Sequence, residues 1–232
     1  MWVTFRRETK AMRLDSVIIG FGHQARQGKD EAVAAIIAAR SGQYDVRRYA
    51  FGTELKREVN KSAMNSGGML KLFDDGLRCE GCGYMQENGN VIALPDWVQY
   101  DWNPPMDDPD CPYGKQRTLL QWWGTEYRRN VNENYWLNKV AERIAEEKPE
   151  IALITDVRFP NEKAFCEKYG ESIKVVRTGY ASDVPKHISE LALAHVPDDQ
   201  WSDVIYNDRG LEELRQLAVF TFDELMERTV AK

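Results

Sequence analysis

Histidine and cysteine are scarce in this 232-residue chain, which has three of the first and four of the second. So few cysteines exclude a disulfide framework, and no complete four-ligand Cys/His set for zinc can be assembled. A basic excess is missing as well: the net charge is −6, which argues against general binding to nucleic acid or to an anionic membrane, since both require phosphates to be neutralised. No apolar run approaches a membrane span, and Met1 to Leu14 carries Arg6, Arg7, Glu8, Lys10 and Arg13, too much charge for a secretory signal core. The expectation is a cytoplasmic protein with neither membrane nor nucleic-acid partner. Internal repeats and low-complexity tracts are also lacking.

What is present suits an enzyme with one good core. The composition is 43% apolar and 29% charged, and apolar runs alternate with helical patterns, as in a parallel sheet covered by helices. The strands are predicted at Ser16 to Phe21, Asp45 to Phe51, Ile151 to Val157, Ile173 to Arg177 and Val204 to Asn207. Helices are predicted from Lys29 to Arg40, from Thr53 to Met64, from Arg117 to Lys148 with a break at Asn130 to Asn134, from Asn161 to Tyr169, and in two segments after Asp208 and around Phe222 to Thr229. Residues 1–14 read as an extension ahead of a domain spanning 15–232.

Between the first strand and the first helix lies Gly28-Lys29-Asp30, which reads as a phosphate-binding loop. Backbone N–H groups wrap phosphate oxygens there, the helix points its positive end at them, and a lysine meets the accumulating charge. The match to the general pattern is imperfect. Five residues separate Gly22 from Gly28 where four are usual, so His23 stands at the position of the first glycine. Asp30 follows the lysine where a hydroxyl ordinarily binds magnesium, but a carboxylate also holds a hard cation.

Residues 67–113 interrupt the alternation with Gly, Pro, Asp and Asn and carry three of the cysteines, as an inserted loop would. Cys79, Cys82 and Cys111 read either as part of a zinc site or as free thiols on that loop. Cys166, alone on a helix, reads as core. Asp156 emerges at the carboxyl end of a buried strand, where open α/β sheets bind ligands; it reads as a second magnesium-orienting carboxylate or as a cap for the turn that follows. Arg158, two residues on, suits a substrate phosphate. On the segment from Arg117, the residues Leu119, Leu120, Trp123 and Tyr127 form an apolar face, and Arg117, Gln121, Thr125 and Arg128 a polar stripe that is either solvated or reads a base and a phosphate.

Five segments taken together resemble the bacteriophage-type deoxynucleoside monophosphate kinases, a branch of the P-loop kinases. They are Ala25 to Asp30; Phe51 to Lys56; Leu119 to Gln121 with Gly124 to Glu126 and Arg128-Arg129; Thr155 to Glu162; and His187 to Glu190. The Gly-Lys-Asp loop is usual in that family. The resemblance implies an α/β three-layer sandwich with a five-stranded parallel sheet, a lid at about 177–190, and transfer of the γ-phosphate of ATP, with Mg²⁺, to a deoxynucleoside monophosphate. It implies that Gly22, Ala25, Arg26, Gln27, Gly28, Lys29, Asp30, Glu31 and Asn207 hold the donor, and that Lys56, Gln121, Arg128, Arg129, Asp156, Arg158, Glu162, His187 and Glu190 hold the acceptor. Lys29, Arg128 and Arg158 would be catalytic, with Asp30 and Asp156 toward the metal. A homodimer, and host cytoplasm for a phage protein, are further implications. Two alternatives stay open: a P-loop kinase for another small acceptor such as dephospho-coenzyme A, and a non-enzymatic nucleotide-regulated binding protein.

Overall fold

The computed structural model describes residues 14–65, 70–73, 76–79, 86–87, 90–91, 117–179 and 187–230, with side chains at 14–59, 118–179 and 187–228. Five strands form one sheet: β1 (Val17–Gly22), β2 (Val46–Tyr49), β7 (Ile151–Val157), β8 (Gly170–Val176) and β9 (Asp203–Tyr206). Their spatial order is β2-β7-β1-β8-β9, and every pairing is parallel. β1 lies at the centre and is apolar on both faces, as a doubly covered parallel strand must be.

Two apolar layers cover the sheet. On one face, α1 (Lys29–Arg40) and α7 (Leu211–Val230) pack Ala32, Val33, Ile36, Leu214, Ala218 and Phe222 onto Ile19, Phe21, Leu153 and Ile173. On the other, α2 (Phe51–Asn65), α3 (Arg117–Trp122), α4 (Tyr135–Glu147) and α5 (Pro160–Tyr169) set Val59, Leu119, Trp122, Trp136, Val140 and Phe165 against Ile18, Ala152 and Ile154. This is an α/β three-layer sandwich with a five-stranded parallel sheet. The helix that follows β1 covers one face and the helix that follows the adjacent β7 covers the other, so the chain diverges between these two strands. Such a divergence opens a crevice at the strands' carboxyl ends, where ligands bind in open α/β sheets.

Several predicted bounds are corrected. β8 begins at Gly170, three residues before the predicted start, directly from α5; a side chain at Gly170 would run into the backbone of Ile18. The second strand ends at Tyr49, and Phe51 already opens α2. The C-terminal segments are one continuous helix of 20 residues. After α3 the chain widens into a π-helix, Trp123–Arg129, before the turn leading to α4. Within 67–113, β3 (Leu70–Phe73) pairs antiparallel with β4 (Gly76–Cys79), and β5 (Gln86–Glu87) with β6 (Asn90–Val91). A short α6 (Ile188–Leu191) completes the helices. Cys166 is buried as expected and packs against Gly20. The thiols of Cys79, Cys82 and Cys111, residues 1–13, residues 180–186 of the expected lid and the side chain of Arg117 lie outside the described residues. No described helix is long and apolar enough to cross a membrane.

Candidate active site

β1 delivers the chain into a loop whose backbone departs from ordinary geometry. His23, Arg26 and Gly28 all have positive φ, at 91°, 59° and 104°. His23, standing where the common motif has glycine, therefore adopts the left-handed conformation that glycine takes readily and other residues rarely. Gly28 ends the loop as the residue before α1, and a Cβ there would lie 2.8 Å from both Asn207 Nδ2 and Leu214 Cδ2. No side chain caps the start of α1. Its first N–H groups and dipole thus face the crevice, an arrangement suited to phosphate oxygens.

Side chains brace the loop from behind. Asn207, just after β9, donates from Nδ2 to the Gln27 carbonyl at 3.0 Å. The buried Gln27 side chain accepts from the Arg177 N–H at the end of β8. Trp201 covers Gly22, where any side chain would collide with its ring. Gly22 and Gln27 therefore act on the loop's shape. Ala25 is half-buried and Arg26 exposed at its tip.

Lys29 is buried, and its Nζ donates to the Gln24 carbonyl of the same loop. Burial, then the nearby Arg158 guanidinium, brings its pKa down to about 8, against the opposing pull of Asp156, Asp30 and Glu190. The crevice thus gathers two cations and three carboxylates from three stretches of chain. Asp156 receives the backbone N–H groups of Phe51 and Gly52, each at 2.8 Å, so it caps α2 and not the turn after its own strand. Burial holds its carboxyl above the usual range despite those bonds. Asp30 is exposed and paired with Arg48 at 2.7 Å, while Glu31 turns aside to Arg215 of α7 at 2.6 Å, away from the crevice.

The acceptor-side residues fall into two groups. Glu162 accepts from the N–H groups of Arg158 (2.8 Å) and Phe159 (3.1 Å) and pairs with Arg129 at 3.1 Å, and Arg129 lies over the Phe159 ring and reaches Asn161. Glu162 is buried, and burial pushes it up to about 7. Arg128 points elsewhere. Its Nε donates to Glu58 Oε1 at 2.6 Å, and its guanidinium stacks on Tyr127 and Tyr135. Glu58 also accepts from Trp123 Nε1 and the Tyr135 hydroxyl and faces Lys139, so one carboxylate ties α2 to the π-helix and α4. Lys56 and Gln121 are half-buried on α2 and α3. His187 caps α6 and contacts Glu126 at 3.0 Å, and Glu190 of α6 acts on Lys29.

Sequence reasoning missed Glu58 and Trp201, and named Glu126 only as part of the Gly124 to Glu126 segment, without a role. Glu58 had a signal: it follows Phe51 and Leu55 at i+7 and i+3, a carboxylate on the buried stripe of its helix. Among the described residues no group of three or more His, Cys, Asp and Glu is arranged to share a metal ion. Asp30 and Asp156 remain as a pair close enough to repel. That pair fits magnesium, which takes one or two carboxylates and completes its shell with water and phosphate oxygens.

Residues 115–217 match the deoxynucleotide monophosphate kinase family. The matched stretch contains Arg128, Arg129, Asp156, Arg158, Glu162, His187, Glu190 and Asn207, and Gly28-Lys29-Asp30 precedes it. A curated relative, the deoxynucleoside-5′-monophosphate kinase of Escherichia phage T5, is 51% identical over 47 residues, 20% of this chain and 19% of that protein's length. A crystal structure of a sugar kinase from Janibacter sp. HTCC2649 superposes on 90% of this chain and 95% of its own, with a TM-score of 0.40 and 10% identity, too distantly to speak for the activity.

Proposed function

We propose that this chain, which resembles the phage-type deoxynucleoside monophosphate kinases, transfers the γ-phosphate of ATP to a deoxynucleoside monophosphate, yielding ADP and the deoxynucleoside diphosphate. The observation that carries the reading is the convergence of Lys29, Arg158, Asp156, Asp30 and Glu190 at the mouth of an uncapped, glycine-bounded helix N-terminus. The family match on the acceptor-side half supports it independently.

The acceptor phosphate is already an anionic nucleophile near neutral pH, so the reaction needs positioning and charge neutralisation more than a base. The loop amides and Lys29 bind the donor's β- and γ-phosphates. Arg158, just after the adjacent strand β7, spreads the charge of the moving group, with its backbone fixed by Glu162. Mg²⁺, when bound at Asp30 and Asp156, supplies further charge neutralisation. We assign the lid role to the segment ending at His187 and Glu190, which contact the π-helix and act on Lys29; its closure over the phosphates would exclude water that could hydrolyse the donor. We assign residues 15–232 to one kinase domain on this reading.

A coupled ADP-release assay over deoxy- and ribonucleoside monophosphates tests the proposal. Turnover that depends on a deoxynucleoside monophosphate is expected. Absence of acceptor-dependent ADP release from every monophosphate would remove the reading, and turnover with dephospho-coenzyme A alone would replace it.

A further inference from the structure

Glu126 sits in the π-helix with its two carboxylate oxygens in unequal circumstances. Oε1 lies 3.0 Å from His187 Nε2, whereas Oε2 is buried and has no hydrogen-bond partner among the described residues. His187 is fixed in turn, because its Nδ1 accepts from the Ser189 N–H at 3.3 Å and lies 2.9 Å from Ser189 Oγ. An Nδ1 that accepts leaves the ring proton on Nε2, so Nε2–H donates to Oε1 and holds the carboxylate plane. One turn along α6, Glu190 acts on Lys29. The short helix α6 therefore links Glu126, through His187 and Glu190, to the lysine of the phosphate loop.

Buried carboxylate oxygens without a donor are uncommon in folded proteins, and each calls for an explanation, a bound water, ion or ligand among them. We propose that Glu126 Oε2 accepts a hydrogen bond from the acceptor nucleotide, from a sugar hydroxyl or an exocyclic amino group, and that His187 is the positioning residue that aims it. This rests on the proposed function. A carboxylate repels phosphate, so the contact falls on the sugar or base, the only parts of a nucleoside monophosphate that bear hydrogen-bond donors. Glu126 then distinguishes acceptors by whether they fill this position: a site built to accept one hydrogen rejects the analogue that lacks it, since its own buried oxygen stays unpaired.

The test compares kcat/KM of wild type and Glu126→Gln across dAMP, dCMP, dGMP, dTMP and their 2′,3′-dideoxy forms. Replacing Oε2 by an amide is expected to lower kcat/KM on the order of tenfold to a hundredfold for acceptors carrying the recognised group. Acceptors without it should be poor with wild type and no poorer with the variant. If the dideoxy forms behave this way the donor is the sugar hydroxyl; if dTMP alone does, it is the base amino group. His187→Gln, which keeps a donor toward Oε1, should retain more activity than His187→Ala, with the loss in KM for the acceptor and not for ATP. An equal loss for every acceptor would overturn the proposal and leave Oε2 holding a water. Acceptor Kd values from tryptophan fluorescence, read over the same series, separate this from the reaction itself. Binding without turnover would remove the kinase reading while still testing Glu126, and no binding of any monophosphate would remove both.

Discussion

Asn207 Nδ2 donates to the Gln27 carbonyl at 3.0 Å and closes over Gly28, whose missing side chain makes room for it. The end of β9 is thereby latched to the phosphate loop. Gly28→Ala would bring a methyl to 2.8 Å from Asn207 Nδ2 at a φ of 104°. The variant should lose about 1–3 kcal/mol of stability, the cost of a strained left-handed residue, and bind ATP at least about tenfold more weakly. Thermal unfolding and an ATP titration measure both; unchanged stability would mean that the latch is not built on this glycine.

The depressed pKa of Lys29 gives a pH dependence with a definite sign. Its folded value is about 8 and its unfolded value 10.5, so between these the unfolded chain binds more protons and this residue's contribution to stability rises with pH. Triphosphate binding has the opposite dependence, because the ligand requires the ammonium form. Affinity for ATP should fall above pH 8, with proton uptake on binding that disappears in Lys29→Met. Calorimetry at pH 8.5 in two buffers of different ionisation enthalpy reads the uptake directly, and its absence in wild type would contradict the assignment.

Asp156 combines two roles that two substitutions separate. Its carboxylate caps α2 through the Phe51 and Gly52 amides, and in the proposed reaction it also faces the metal. Asp156→Asn retains an acceptor for one amide and should cost about 1 kcal/mol or less in stability, whereas Asp156→Ala should cost about 1–2 kcal/mol. Both should raise the Mg²⁺ concentration needed for half-maximal turnover. A metal dependence unchanged in Asp156→Asn would confine this residue to capping.

Glu58 ties three elements together through Arg128, Trp123, Tyr135 and Lys139. Glu58→Ala removes one shared acceptor from a largely buried guanidinium and two aromatic donors, and the expected loss is about 1–3 kcal/mol. Glu58→Gln should lose less. Denaturant midpoints of the two variants test this, and a Glu58→Ala protein as stable as wild type would show that the network does not hold the π-helix.

The legible parts of this fold are those where one local pattern decides the structure. Ile151 to Val157 was recoverable residue for residue because a fully buried parallel strand is apolar on both faces. The start of β8 was hidden because Glu171 and Ser172 are polar, and they enter the sheet only because α5 ends against β1. The π-helix was invisible to a reading that assumes 3.6 residues per turn, and so the opposed directions of Arg128 and Arg129 could not be foreseen. Lys29 and Arg158 were singled out from loop chemistry and a strand end, and the structure places them close together. The partners of Asp156 were not, since Phe51 and Gly52 are more than 100 residues away in the chain.

Glu162 links stability to pH in the reverse direction from Lys29. Burial raises its folded pKa to about 7 from an ordinary 4.5, although the Arg158 and Phe159 amides and Arg129 favour the charged form. Between pH 4.5 and 7 the folded protein binds the extra proton, so the contribution of Glu162 to stability is full below that window and declines as pH rises through it. The size is on the order of 3 kcal/mol across the window, the free energy of a shift of that magnitude. Other carboxylates titrate in the same range, so the quantity to measure is the difference between wild type and Glu162→Gln in denaturant unfolding at each pH. The amide stays neutral throughout, so wild type should lose stability relative to the variant from pH 4.5 to 7, with the difference constant above. A difference independent of pH would mean that Glu162 titrates at its ordinary value and that Arg129 neutralises it fully. Because the same carboxylate fixes the Arg158 backbone, Glu162→Gln should also raise KM for the acceptor with little change in KM for ATP.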